Sequence, residues 1–224
     1  MKGAPRSKEF DDVYFSAQDG LAETRYVFLE KNNLPDAFAG HERFTIFETG
    51  FGTGLNFLAT WKLFDEHAKA GQNLHFISVE KYPLRASQIK EYLQPFALEF
   101  PEELNAFVNH YLETLSEGRH EIALSSSVHL SLIIGDINDV MNDVKEGVDC
   151  WFLDGFKPAS NPDMWSEELF ANMARLSKVG AHFATFTAAG FVKRGLRDAG
   201  FEVQKVRGFG TKRDMLTGQF RGCG

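Results

Sequence analysis

"RFTIFETGFGTGLNFLATWKLF", residues 43–64, decides the fold. Residues 43–48 are an apolar run of strand length that closes on Glu48. Gly50, Gly52 and Gly54 follow at alternate positions, and then Leu58, Trp61, Phe64 and Ala68 recur at helical spacing before Gly71 stops the helix. A strand that turns into a helix through glycines lets a ligand approach the backbone closely.

Outward from this unit the alternation continues. Residues 74–80 read as a second strand, and Pro83 introduces a helix carrying Ala86, Ile89, Leu93 and Phe96. A further helical pattern covers 101–118, and 121–136 reads as one or two strands around a serine turn. Residues 148–154 form an apolar strand, Asn161-Pro162 caps a helix to about Ser177, and 181–187 is another strand. A short helix over 189–199 ends at Gly200, and two strands around residues 210–213 close the chain as a hairpin. Strands alternating with helices predict an α/β fold, a mainly parallel sheet with helices on both faces and an antiparallel C-terminal hairpin.

Length and composition narrow the class. With 224 residues, 43% hydrophobic and 25% charged, the chain suits one domain with one sizeable core. Cys150 and Cys223 are far apart and give neither a disulfide framework nor metal-ligand spacing. No apolar stretch approaches a membrane span and the N-terminus has no apolar signal region, so a cytoplasmic setting is expected. The net charge is −7, unevenly spread: from Lys193 onward eight Lys/Arg face three Asp/Glu, while the first 192 residues carry 16 basic and 28 acidic side chains. An acidic body with a basic C-terminal section can present one local anion-binding face.

In a parallel sheet ligands sit beyond the carboxyl ends of the strands. Those ends read Glu48 with the glycine loop, Glu80-Lys81, Gly135-Asp136-Ile137 and Asp154-Gly155-Phe156. The loop lacks the last glycine of a dinucleotide fingerprint, Leu55 standing there, and no Gly-Lys-Ser/Thr follows. An acidic rim repels pyrophosphate and suits a cationic ligand. S-adenosylmethionine, with a sulfonium, an ammonium, a ribose diol and no phosphate, fits. Glu48, Gly50, Gly52, Gly54, Lys81 and Asp154 then belong to its site, Glu80 accepts from the ribose hydroxyls, and Asp136 accepts from the adenine amine with Ile137 against the ring.

Six stretches, 10–32, 48–57, 74–84, 151–165, 184–201 and 205–218, together resemble one family. It is the methyltransferase domain of the tRNA 5-methylaminomethyl-2-thiouridine biosynthesis bifunctional protein. The resemblance spans about residues 10 to 218 and implies a Rossmann-like fold. It further implies S-adenosylmethionine-dependent methylation of an aminomethyl group on the tRNA wobble uridine. Family members often continue into an FAD-dependent oxidase domain that prepares the amine. The expectation here is one methyltransferase domain over 1–224, residues 1–42 being a substrate-side extension and 43–220 the core. No FAD domain, FAD or metal is expected, and an FAD-dependent oxidase is the expected partner on the same nucleotide.

An alkyl amine is mostly protonated near neutral pH, and only its neutral form can attack a methyl carbon. A rim carboxylate can orient the amine and take a proton, a role given to Asp154, with Phe156 facing the cation or stacking on the uracil. Tyr14 and Phe15 are candidates for the pocket wall. Lys193, Arg194, Arg197, Arg207, Lys212 and Arg213 are expected on anticodon-stem phosphates. Two rivals share some of these features: a polyamine aminopropyltransferase, and a non-catalytic RNA-binding module. The first leaves the basic section without a purpose, and the second leaves the aligned carboxylates without one.

Overall fold

The computed structural model describes residues 20–111, 113–155, 158 and 160–222. Its strands are β1 Arg43–Glu48, β2 Asn73–Glu80, β3 Gly118–Ala123, β4 Val128–Ile134, β5 Val148–Phe152, β6 Ser177–Thr185, β7 Phe201–Arg207 and β8 Asp214–Phe220. They form one sheet in the order β3-β4-β2-β1-β5-β6-β8-β7. β1 pairs in parallel with β2 and β5, β2 with β4, and β5 with β6. The chain runs outward from β1 to β2 and β4, then returns to place β5 on β1's other side. That reversal opens a crevice at the carboxyl ends of β1 and β5.

The strands need burial on both faces, and their alternation supplies it. Phe44, Ile46, Phe76 and Phe152 point into one apolar cluster, while Phe47, Ile77 and Trp151 point into the other. The first cluster is roofed by α1 Gly20–Thr24, α2 Leu55–His67, α3 Ala86–Leu93 and α4 Pro101–His110. The second is covered by α5 Ile137–Val140, α6 Glu167–Leu176 and α7 Gly190–Asp198. The many phenylalanines pack largely on one another: Phe57 lies 5.2 Å from Phe76 and 5.9 Å from Phe107, ring centre to ring centre.

Several expected boundaries move. The helix predicted over 101–118 stops at His110, and the region 121–136 is an antiparallel pair, β3 on β4, joined at the serine turn. There Ser125 Oγ accepts the Val128 N–H at 3.0 Å, which lets three consecutive serines turn the chain. Asn161-Pro162 does not cap the long helix. Pro162–Trp165 is a short 3₁₀ turn, and Ser166 caps α6 by accepting the Leu169 N–H at 3.0 Å. In the closing hairpin β8, the later strand, pairs antiparallel with β6, and β7 becomes the edge. β7 therefore runs in the same direction as β6, and the 208–213 turn emerges on the carboxyl rim. The described part of the expected N-terminal extension is no appendage either: Leu21, Val27, Phe28, Leu29 and Phe38 are buried in the first cluster.

Candidate active site

The loop after β1 is tied to both neighbouring strands. Thr49 donates its N–H to the Phe152 carbonyl at 3.1 Å and its hydroxyl to the Asp154 carbonyl. Phe51 donates its N–H to Val79 O at 3.1 Å. Two glycines are demanded by the protein's own packing. A Cβ on Gly50 would lie 3.3 Å from Gly155 Cα, so that glycine lets the loop press against the end of β5. Gly54 has φ +80° and a Cβ there would stand 2.8 Å from the Phe51 ring, so the helix can start only from glycine.

Four carboxylates gather on this rim, in four different situations. Glu80 accepts the Gly52 N–H at 2.8 Å on Oε2 and the Tyr82 N–H at 2.9 Å on Oε1. It is half-buried; burial lifts its carboxyl above the ordinary range and the N–H donors pull it back. Glu48, at 0% exposure, accepts from Asn56 Nδ2 at 2.8 Å and Ser78 Oγ at 2.7 Å. Burial, then the negative charge of Asp154, push it well above the ordinary range. Asp154 is half-buried and accepts from Asn56 Nδ2 at 2.7 Å and the Gly155 N–H at 2.7 Å. Burial raises its carboxyl from an ordinary 3.8 to about 6, against the pull of those two donors. Asp136 goes the other way. Lys81 Nζ at 2.8 Å, with the Asn138 N–H at 3.0 Å, holds it below the usual value.

Asn56 is the residue that connects these groups. Its side-chain NH₂ donates to Glu48 and to Asp154, and its oxygen accepts from Thr24 Oγ1 at 2.7 Å. The next residue over the site, Glu23, pairs with Lys212 Nζ at 2.7 Å. Glu23 pushes the Asp154 carboxyl up and Lys212 pulls it down, so α1 and the hairpin turn both face Asp154. Lys212 Nζ also lies 4.6 Å from the centre of the Phe186 ring.

The structure thus brings Gly50, Gly52, Gly54, Glu80, Lys81, Asp136, Ile137 and Asp154 to one rim, as the strand ends predicted, and adjusts several roles. Glu48 reaches the rim only from behind, with no exposed surface, and binds Asn56 and Ser78. Asp136 and Lys81 spend a shared ion pair on each other, and Asp136 also caps α5. Ile137 is buried. Lys212 is paired with Glu23. Arg197 sits on the last turn of α7, about 10 Å down the helix from the rim where that helix begins. Lys193 is half-buried, whereas Arg194, Arg207 and Arg213 are exposed. Tyr14, Phe15 and Phe156 lie outside the described residues. Glu23, Thr24 and Asn56 escape sequence reasoning, although all three stand inside the stretches that carry the family resemblance; no periodicity marks them.

A separate cavity of about 500 Å³ opens at the opposite ends of β1, β2 and β4, among Arg43, His75, Arg119, Glu121 and Glu146. Its charges answer one another, Arg119 pairing with both Glu121 and Glu146. Burial and Arg43 lower the His75 imidazole to about 4, so it stays neutral. Among the described residues no group of three or more His, Cys, Asp or Glu could hold a metal ion, and no helix is long and apolar enough to cross a membrane.

Comparison with known proteins decides the family. A family model described as S-adenosyl-L-methionine-dependent methyltransferase matches residues 98–221, more than half of the chain. The chain belongs to this family. Relatives named tRNA 5-methylaminomethyl-2-thiouridine biosynthesis bifunctional protein MnmC are 50% identical in Idiomarina loihiensis, over 98% of this chain, and 47% identical in Pseudomonas fluorescens, over 99%. This methyltransferase spans only 37% and 34% of their lengths, about a third. Among solved structures, MNMC2 from Aquifex aeolicus superposes with a TM-score of 0.71 at 21% identity, covering 97% of this chain and 67% of that one. A precorrin-6y C5,15-methyltransferase from Geobacter metallireducens gives 0.51 at 14% identity, covering 96% and 93%. Both likenesses establish the Rossmann-like fold. The residues present fit the cofactor of the family: the loop turns through left-handed glycines, and the half-buried Glu80 carboxylate stands at the end of β2.

Proposed function

We propose that this methyltransferase N-methylates the 5-aminomethyl group of the (2-thio)uridine at the tRNA wobble position, giving 5-methylaminomethyl-2-thiouridine. The observation that carries the reading is Asp154: a half-buried carboxylate at the cofactor rim, raised to about 6, where an amine nucleophile needs a proton acceptor. The similarity to relatives whose names specify that nucleoside supports it. S-adenosylmethionine, held by the glycine loop and Glu80, supplies an electrophilic methyl group on sulfur. Asp154 attracts the substrate ammonium, orients its nitrogen and takes the proton that must leave. An acceptor near 6 lies about two units closer to an alkylamine than an ordinary aspartate, so proton removal is less uphill. Phe156, two positions on in the sequence, is assigned to the uracil or to the cationic centre. Tyr14 and Phe15 are assigned to the pocket wall.

The tRNA is read as docking through its anticodon stem-loop on Arg194, Arg207 and Arg213, in the cytoplasm, with an FAD-dependent oxidase domain or protein supplying the amine. Labelled methyl transfer to tRNA bearing the aminomethyl group, against the unmodified transcript, tests the acceptor. Only the first is expected to accept label, and equal labelling sinks the reading. The docking face has its own test. Arg213 is 93% exposed on its side chain. Arg207→Ala with Arg213→Ala is expected to weaken tRNA binding, leave cofactor binding alone, and flatten the log K against log salt slope by about 0.9 per lost phosphate contact. A wild-type slope in the double variant places the RNA elsewhere.

A further inference from the structure

We infer that Asn56 is a positioning residue for methyl transfer: its one amide, anchored by Thr24, shares its two N–H groups between Glu48 and Asp154 and thereby sets the pH at which Asp154 becomes a proton acceptor. The inference rests on the reading of Asp154 given above. It extends that reading to a residue that touches no substrate.

The geometry fixes which way the amide points. Thr24 Oγ1 donates to Asn56 Oδ1 at 2.7 Å, leaving Nδ2 to face Glu48 Oε1 at 2.8 Å and Asp154 Oδ2 at 2.7 Å. A flipped amide would aim its oxygen at two carboxylate oxygens and be repelled by both. Thr24, Glu48 and Asn56 are all buried, so water cannot replace a lost bond cheaply. Asn56 is the second residue of α2, held rigidly by its helix, whereas Asp154 lies in the irregular segment that follows β5. One side chain of α2 therefore ties this segment to the helix.

Every element around Asp154 contributes a charge or a dipole. β1 presents Glu48, with Glu80 of β2 beyond it; α1 presents Glu23; the hairpin turn presents Lys212; α2 presents the Asn56 amide; and Gly155 gives its own N–H. Burial, and then the charge of Glu23, disfavour ionisation of Asp154, while Lys212, paired with Glu23, favours it. The Asn56 N–H, with that of Gly155, is what keeps the ionised form accessible in this company. Glu48 and Asp154 share the same amide, so the two acids are coupled: the negative charge of Asp154 raises the buried Glu48.

The test reads Asp154 directly. In ligand-free protein the side-chain carboxyl carbons of aspartate are followed by ¹³C NMR against pH, Asp154 being the resonance missing from Asp154→Asn. The same variants are assayed for the pH dependence of methyl transfer to aminomethyl-bearing tRNA. Asn56→Ala is expected to move the Asp154 titration, and with it the acid limb of kcat/KM, upward by about one unit. Glu48→Gln keeps a neutral oxygen and nitrogen partner for Asn56 and Ser78, and is expected to leave both close to the wild-type value. Thr24→Val, which frees the amide to turn, is expected to give a smaller upward shift, with Thr24→Ser restoring the wild-type value. An Asp154 titration unmoved in folded Asn56→Ala overturns the inference; if that variant does not fold, an unmoved titration in Thr24→Val overturns it. A failure of the underlying reading looks different: Asp154→Asn would then keep near-normal turnover and an intact acid limb, whatever the carbon resonances do.

Discussion

Asp154→Ala is expected to lower turnover by about 10² or more while leaving cofactor affinity broadly intact, because only the methyl acceptor's amine needs that carboxylate. Single-turnover rates with saturating S-adenosylmethionine, together with calorimetric binding of the cofactor, measure the two halves of the statement. Near-normal turnover reduces Asp154 to a residue that shapes the turn into Gly155. The Asp154→Asn variant carries a second expectation. Folding lifts this carboxyl from 3.8 to about 6, so the folded state binds the proton more tightly than the unfolded chain. Stability from this group is therefore full below about pH 4 and is lost as pH rises through 6. A neutral asparagine escapes that loss. It is expected to stabilise the ligand-free protein by about 1–3 kcal/mol at pH 8 and by little at pH 4, an active-site acid being held at a cost to the fold. Chemical denaturation at the two pH values decides it, and an equal difference at both removes the titration from the account.

Glu80→Ala is expected to weaken S-adenosylmethionine binding by about 1.5–3 kcal/mol, measured by calorimetry. Two losses contribute. The ribose hydroxyls lose a charged acceptor, and the Gly52 and Tyr82 N–H groups lose the carboxylate that fixes the loop. Glu80→Gln separates them, since its amide oxygen can still accept from one N–H while the charge is gone. Affinity close to wild type in Glu80→Gln together with a large loss in Glu80→Ala assigns the effect to the loop. Equal losses assign it to the ribose. Wild-type affinity in both variants takes Glu80 out of the cofactor site.

The sequence by itself determined the layered α/β architecture and the rim. The apolar runs at 43–48 and 74–80 need cover on both faces, and the helical spacing from Leu58 to Phe64 provides one of those covers. Parallel strands must point their carboxyl ends the same way, so Glu48, Glu80, Asp136 and Asp154 could be placed on one edge without coordinates. Local rules also failed locally. The serine turn, the early start of β6 and the cap at Ser166 each depend on one side-chain-to-backbone bond or on pairing with a strand far along the chain, and neither leaves a periodic trace.

Only the tertiary structure decided how the four acids differ. Carboxyl groups at equivalent strand ends become a fully buried support in Glu48, a loop clasp in Glu80, half of an ion pair in Asp136 and a half-buried acid near 6 in Asp154. Burial and partners set these fates, and the partners come from afar: Thr24 reaches Asn56 across 32 positions, Asn56 reaches Asp154 across 98, and Lys212 reaches Glu23 across 189. Pattern reads neighbours three or four residues away. The free energy of a buried charge depends on whatever the fold brings within a few ångströms, and for Asp154 that company is assembled from both ends of the chain.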